Sequence, residues 1–336
     1  MAKMKAAIIS KYGHQEKLII TDVETPVCGD SDVLVEIHAA SLNPIDFKIR
    51  DGQLKFLRAY KFPWIMGHDL AGVVTQTGSK VTKFKKGDRV FSRPGNGRTG
   101  SLAEFIAVDE NELAPIPNNI TFEEAASIPL VGLTSWQALF DIAHMKRGDR
   151  VFIQAGAGGV GTFAIQLAKH FGAHVITTTS SRNTEFVKSL GADEVIDYTS
   201  QKFEEVLRNV DIVFDTLGGE ALYNSFQILK PGGWVVSIAG DPDQHLAEDM
   251  NLNFIKKQIL RLVGRKANKL AEKAQAHYRF IFMHSSGQQL TQIAELLESG
   301  KIKPNIDKVF SFEDSQKAVD YLELGRSRGK VVVKIR

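Results

Sequence analysis

A single cysteine, Cys28, stands in 336 residues. It permits no internal disulfide and no cysteine-cluster metal site. Charge of one sign is also scarce, since 42 Lys and Arg against 39 Asp and Glu leave a formal charge of +3. That balance, with no lysine or arginine run, gives nucleic acid no footing. The apolar runs are too short to cross a bilayer, and Met1 to Ser10 is mixed and strand-like. A signal peptide would need a charged start and a long apolar stretch. The expectation is a cytoplasmic protein with no nucleic-acid and no membrane partner. Internal repeats and low-complexity segments are missing too.

What is present is enough length for two domains and a change of texture. Up to about Asn119, short apolar runs alternate with Gly-Asp, Pro-Gly and Asn-Gly turns. Lys5-Ala-Ala-Ile-Ile, Asp32 to His38, Leu70 to Thr75, Asp88 to Ser92 and Ala103 to Val108 read as strands. From Thr121 the pattern becomes helical. Thr121-Phe-Glu-Glu124 is a capping-box sequence, a threonine with an acid three residues on. Strands then recur near Val151, Val175, Glu194, Ile212 and Val235, with helices near Thr162, Thr184, Phe203 and Leu222 between them. Alternation of this kind predicts βαβ units and a parallel sheet. Residues 247–277 read as a long, charged, amphipathic helical stretch, and Tyr278 to Phe282 as a further strand. A helix near Gln288 to Glu298 and a returning strand from Lys330 complete the chain.

The most informative run is Gln154-Ala-Gly156-Ala-Gly158-Gly159-Val160-Gly161. It lies between the apolar stretch Arg150 to Ile153 and a helical stretch beginning at Thr162. Strand, glycine turn and helix form the context of a dinucleotide fingerprint. Gly156 suits the tight turn, Gly158 lets the backbone approach a pyrophosphate, and Gly161 lets helix and strand pack closely. The helix amides and dipole then favour the anion. The end of the next strand, Val175 to Asn183, carries no acid to hold a ribose 2′-hydroxyl. Ser180, Ser181 and Arg182 stand there instead, and they suit a 2′-phosphate. NADPH is the expected cofactor.

Several segments together resemble the zinc-independent medium-chain dehydrogenase/reductases, in the quinone oxidoreductase (zeta-crystallin-like) branch. They are Ala39 to Asp46, Gly67 to Gly72, Gly87 to Val90, Val131 to Ser135, Gly156 to Gly161, Lys230 to Gly233 and Gly329 to Val333. The resemblance covers nearly the whole chain. It implies an α/β protein with a GroES-like β-barrel catalytic domain (1–124 and 285–336). A Rossmann cofactor domain, a doubly wound parallel sheet at 125–284, would complete it, with the active cleft between the two. It implies Thr134 near the nicotinamide or its phosphates, and Gly158, Gly159, Val160 and Gly161 at the pyrophosphate. Ser180, Arg182 and Tyr198 would surround the 2′-phosphate. Leu217, Ile238 and Ala239 would line the nicotinamide, and Phe282 and Lys330 would close over the cofactor. A homodimer is implied as well, through a sheet edge near Trp234 to Ile238 or Tyr278 to Phe282.

The resemblance also bears on zinc. Places that hold a cysteine, a histidine and a second cysteine in zinc members carry Asn43, His68 and Val131 here. One imidazole cannot hold an ion that takes four ligands. The four-cysteine lobe is replaced by a short Pro94-Gly-Asn-Gly-Arg98 loop. No metal is expected, and His68 reads as a hydrogen-bonded remnant. Without a Lewis acid, plain alcohol oxidation loses its main support. A small electron-poor carbonyl needs less help, because its reduced anion is delocalised. The catalytic candidates are Asn43, as an amide donor, and Asp46 with His68, as holders of a water chain. Asn43 and Asp46 read equally well as fixing the turn around Pro44. Phe56, Tyr60, Trp64, Phe91 and Phe282 read either as a flat apolar slot or as ordinary core. Three functions fit: an NADPH-dependent quinone or enone reductase, a reductase of enoyl thioesters or lipid enals, and a non-catalytic NADPH sensor.

Overall fold

The computed structural model describes residues 2–95, 97–98 and 100–336. Asn96, in the short loop that replaces the zinc lobe, lies outside the described residues. The chain forms two units, Met1–Leu133 with His284–Arg336, and Thr134–Met283. The first junction falls inside a helix, nine residues beyond the boundary placed at Glu124.

The first unit opens with strands β1 (Lys3–Ile9), β2 (Ile19–Glu24) and β3 (Asp32–Leu42), then helix α1 (Pro44–Arg50). Strands β4 (Trp64–Ile65), β5 (Asp69–Thr77), β6 (Arg89–Ser92), β7 (Phe105–Asp109) and β8 (Leu113–Pro115) follow. Helices α2 (Phe122–Ala126) and α3 (Pro129–Trp136) lead out of it. The capping box at Thr121 is made: its hydroxyl accepts from the Glu124 amide, and the Glu124 carboxylate accepts from the Thr121 amide at 2.8 Å. Asn43-Pro44-Ile-Asp46, expected as a turn, starts α1 instead. Proline at the first helical position removes an amide that would have no partner, and Asp46 accepts from the Asn43 amide at 2.7 Å.

The second unit is a six-stranded parallel sheet built from β9 (Arg150–Ile153), β10 (His174–Thr179), β11 (Glu194–Asp197), β12 (Val210–Asp215), β13 (Leu229–Ser237) and β14 (His277–Phe280). Between these strands run α4 (Gly159–His170), α5 (Thr184–Ser189), α6 (Phe203–Val206), α7 (Gly219–Ser225), α8 (Gln244–Asp249), α9 (Phe254–Val263) and α10 (Arg265–Lys273). The order β11-β10-β9-β12-β13-β14 reverses between β9 and β12. That is the doubly wound arrangement, which leaves a crevice at the carboxyl ends of the strands. The helical stretch expected over 247–277 is divided into successive helices. Asp243 ends one loop by capping α8, and Asn253 and Gly264 begin new helices. The strand holding Trp234 is internal, so of the two segments offered as a sheet edge only β14 is one.

The chain returns to the first unit through α11 (Gly287–Glu298), β15 (Ile306–Ser311), α12 (Ser315–Glu323) and β16 (Lys330–Lys334). Its larger sheet runs β15-β16-β3-β5-β6-β8, with β7 also on β3, and β2-β1-β4 form a smaller one. β16 pairs antiparallel with β3, Val331 opposite Leu42. That register sets Lys330 beside the Leu42–Asn43 corner. Val331, Val333, Leu42, Ile49, Met66 and Leu102 pack one apolar core under it. Phe91 is wholly buried core rather than part of a slot, whereas Phe56 is exposed.

Candidate active site

In the first unit, strand ends from distant parts of the chain bring together a buried polar cluster. Ser41, Asn43, Asp46, His68, Asp69 and Lys330 are all at most 5 % exposed. Asp69 is its centre. Its Oδ1 accepts from the Leu130 amide at 2.8 Å. Its Oδ2 accepts from Ser41 Oγ and Asn43 Nδ2, both at 2.9 Å, and from Lys330 Nζ at 3.4 Å. Lys330 also donates to the Leu42 carbonyl at 2.9 Å and to Asn43 Oδ1. Burial pushes the Lys330 ammonium below the usual lysine range, and Asp69 and Asp46 oppose that push. An ammonium has three hydrogens to give, and these contacts use them. Lys330, expected to close over the cofactor, turns its side chain into this cluster through the β16 register.

Asp46 joins the cluster from the first turn of α1. One of its oxygens accepts from the Asn43 amide, and the other lies 2.6 Å from His68 Nδ1. The Trp64 ring lies 6.2 Å from His68 and 5.1 Å from Tyr60, whose hydroxyl burial pushes up. The bonds of Asn43 and Asp46 build the corner around Pro44, one of the two roles the sequence left open for them. Val131 is buried in α3. A groove in this unit lined by Lys83, Arg89, Glu110, Asn111, Gly287 and Gln288 takes in none of these residues.

In the second unit, the candidate cofactor residues gather at the carboxyl ends of β9, β10, β12 and β13. The glycine turn leaves β9 with Ala155 in the left-handed region (φ 50°). The Gly158 amide returns to the Ala155 carbonyl at 3.0 Å. A Cβ on Gly161 would stand 2.5 Å from that carbonyl, and one on Gly156 2.2 Å from Thr177 Oγ1. Both glycines therefore permit close packing. Gly158 differs, because a Cβ there would meet only the Ala155 carbonyl, at 3.3 Å. It is the N-cap of α4, a twelve-residue helix whose first amides need an acceptor. A pyrophosphate fits this bare cradle.

Ser180 precedes a short turn in which Ser181 and Arg182 are exposed. The Tyr198 amide donates to the Thr179 carbonyl, and its ring is exposed. Asp197, at the end of β11, accepts on one oxygen from the Thr199 amide at 2.9 Å and the Thr199 hydroxyl at 2.7 Å. The Thr199 bonds hold its carboxyl below the usual range. Leu217 is exposed after β12, and Ile238 and Ala239 are half-buried after β13. Thr134 is buried in α3, and Phe282 is half-buried past β14.

Sequence reasoning missed the pair that ties these loops together. Asp215 accepts from the Leu217 and Gly218 amides, at 3.2 and 2.9 Å, and from Ser237 Oγ. Ser237 Oγ in turn accepts from the Ala239 and Gly240 amides. Burial raises the Asp215 carboxyl, and these bonds partly offset it. A polar residue closing each of two adjacent apolar strands was the available signal.

The family model described as alcohol dehydrogenase GroES-like domain matches residues 29–118, and that described as zinc-binding dehydrogenase matches residues 190–333. The chain is 37 % identical to the NAD(P)H oxidoreductase RTN4IP1, mitochondrial, of Danio rerio, over 99 % of this chain and 91 % of that protein. It is 35 % identical to the NADPH-dependent alkenal/one oxidoreductase, chloroplastic, of Arabidopsis thaliana, over 98 % and 79 %. Among solved structures, the quinone oxidoreductase from Coxiella burnetii matches with a TM-score of 0.86 at 32 % identity, over the whole of both chains.

The chain belongs to the medium-chain dehydrogenase/reductases. It is an oxidoreductase of their quinone oxidoreductase branch, a family that works with NAD(P)H. The two units are the GroES-like and Rossmann-like parts of that fold.

Zinc-binding relatives give the matched family its description, but the donor set here does not fit that ion. Val131 has no donor atom, the Asn43 amide is held by Asp69 and Lys330, and His68 is the one imidazole at the place. Elsewhere in the described residues, His14, Asp51 and Glu323 bring ligand atoms within 4.8 Å of one another. The Arg50 guanidinium already donates to both of those acids. Among the described residues no helix is long and apolar enough to cross a membrane.

Proposed function

We propose that this medium-chain reductase transfers hydride from NADPH to a small electron-poor carbonyl, a quinone or an α,β-unsaturated ketone or aldehyde. The observation that carries this reading is the group set at the metal place: a bonded amide, a carboxylate-held imidazole and an aliphatic side chain. Such groups can hydrogen-bond a delocalised anion but cannot act as a Lewis acid. The bound nicotinamide would supply the hydride, and the protein orients it. The names of the Arabidopsis and Coxiella relatives agree with this substrate class.

In this proposal Gly156 to Gly161 hold the pyrophosphate, and Thr134, Leu217, Ile238, Ala239 and Phe282 attend the nicotinamide. Ser180, Ser181, Arg182 and Tyr198 take the 2′-phosphate, so NADPH is preferred over NADH. The proposal extends to a homodimer through β14, an open edge that would otherwise invite unwanted pairing. It also keeps a cytoplasmic location, although relatives carry mitochondrial and chloroplastic names.

The test is a panel of quinones, enones and enals followed by nicotinamide absorbance with each cofactor. Turnover of conjugated acceptors with NADPH well above NADH is expected. Tight NADPH binding with no turnover of any acceptor would refute it and favour a sensor.

A further inference from the structure

Helix α9 carries an apolar face that nothing in the fold covers. Fifteen large apolar side chains stand exposed among the described residues, and five of them, Phe254, Ile255, Ile259, Leu262 and Val263, lie on this one ten-residue helix. Phe254, Ile255 and Leu262 are 74 %, 69 % and 67 % exposed. Single exposed apolar side chains are ordinary, whereas a contiguous patch marks an interaction. At 3.6 residues per turn, the five share one side of the helix. Leu260, on the other side, is buried and holds α9 to its unit. The Asn253 side chain caps the helix by accepting from the Lys256 amide at 3.0 Å. The helix is thus held with its apolar face outward, the reverse of an ordinary surface helix.

The charge around this face is of one sign. Residues 254–273, which span α9 and α10, hold seven Lys and Arg against Glu272 alone, a formal charge of +6. The whole chain carries +3, so its other residues together carry −3. By the helical period, Arg261 lies in line with Phe254 on one border of the apolar face, and Lys256 in line with Val263 on the other. Lys257 pairs with Glu248 at 2.6 Å, and Lys266 stands over the Tyr223 ring. Arg261, Arg265, Lys269 and Lys273 are exposed and have no ion-pair partner among the described residues.

We infer that α9 lies on an anionic membrane surface, its apolar face among the headgroups and its basic borders against their phosphates. Apolar side chains on one face with lysine and arginine beside them are the pattern of an interfacial helix. A bilayer span needs about 20 residues; the expectation of no membrane partner came from the lack of such a run, and a helix lying in the interface needs none. A second copy of the chain suits the face less, because a two-fold axis through α9 would set its basic borders against each other. A protein groove suits it less as well, since Leu260 ties α9 down and a groove would have to enclose it. Nucleic acid would leave the apolar side chains unused.

The test is flotation of the full chain with vesicles of equal parts phosphatidylcholine and phosphatidylserine, beside vesicles of phosphatidylcholine alone. The protein should float with the first and not with the second, and high salt should release it. Ile255→Ser with Leu262→Ser should weaken binding to the mixed vesicles at least about tenfold, and Arg261→Glu with Arg265→Glu likewise. Both pairs lie outside the proposed nucleotide and acceptor sites, so the NADPH Kd should match the wild type. No flotation with either vesicle would overturn the inference. Equal flotation with both would leave the basic borders without a role and overturn it as well. Wild-type binding by the Ile255→Ser, Leu262→Ser protein would show that charge alone suffices, and light scattering in which that protein turns a dimer into a monomer while neither floats would give the face to a second copy. Either result overturns the assignment of α9 to a membrane. If the serine variant does not fold, Leu262→Trp decides. Its emission should be quenched by mixed vesicles with brominated chains beyond the quenching of wild type, and no added quenching would overturn the inference.

Discussion

The two candidate regions are built on opposite principles. In the first unit the polar side chains are sealed, and Asp69 alone receives four donors. In the second, the glycine turn works by having no side chains, and no side chain caps the start of α4. A sealed cluster fixes geometry, which suits groups that must meet a developing charge without reorganising. A bare cradle binds an anion brought from outside. In the proposed function the first region carries the chemistry and the second grips the nucleotide. Each of the following changes would break or sharpen that division.

The largest effect is expected at Asp69. Asp69→Ala leaves the Lys330 ammonium buried without its carboxylate, and breaking a buried pair costs about 3–5 kcal/mol. Urea unfolding should show a loss of that size. A loss below about 1 kcal/mol would mean that the cluster does not hold the corner of β3 and α1.

The glycines come next and separate packing from grip. Gly161→Ala places a methyl against the Ala155 backbone and should cost about 1–3 kcal/mol of stability. Gly158→Ala meets only the Ala155 carbonyl, at 3.3 Å, and puts a poor N-cap residue at the start of α4, so it should cost about 0.5–1 kcal/mol, less than Gly161→Ala. It should nonetheless weaken NADPH binding, because the methyl fills the cradle. Isothermal titration beside thermal unfolding distinguishes the two. A Gly158→Ala protein with an unchanged Kd would remove the glycine cradle from the nucleotide site.

Arg182→Ala should weaken NADPH by about 1–3 kcal/mol, the range for a lost charge-assisted contact, and leave NADH nearly unchanged. Equal binding of both cofactors by the wild type would refute the preference.

How much of this was legible follows from the same contrast. The glycine turn is contiguous, and its meaning lies in the backbone, so Gly156, Gly158 and Gly161 announced strand, turn and helix directly. The six parallel strands were each visible as apolar runs. The polar cluster was not legible as a cluster. It draws on residues 41–46, 68–69, 130 and 330, and only the β16–β3 register brings Lys330 to Asn43. The family resemblance implied Lys330 at the cofactor, and nothing in the sequence itself set it beside Asn43. Asp215 and Ser237 escaped notice likewise, because each looks like an ordinary strand end until the strands are paired. The helical stretch expected over 247–277 is helical, but its breaks were not legible, because the charge pattern continues across Asn253 and Gly264, where new helices are capped.

The smallest effect is a change of slope. Burial raises the Asp215 carboxyl above its unfolded value. The folded state then binds that proton more tightly, so this group favours folding at acid pH and ceases to do so as pH rises through the raised value. Asp215→Asn should keep the amide bonds to Leu217 and Gly218 and flatten stability from the ordinary aspartate range upward. An unchanged slope would show that Asp215 is not the source.

The central claim is that hydrogen-bonding groups, not a metal, meet the charge that develops on the acceptor. The most direct measurement sets two rates side by side in one preparation: NADPH-driven reduction of an enone, and NADP-driven oxidation of a simple alcohol. Both are measured before and after treatment with a strong chelator. The account predicts that enone reduction dominates and is untouched by the chelator. Alcohol oxidation at a rival rate, or activity lost with a stoichiometric metal, would contradict it.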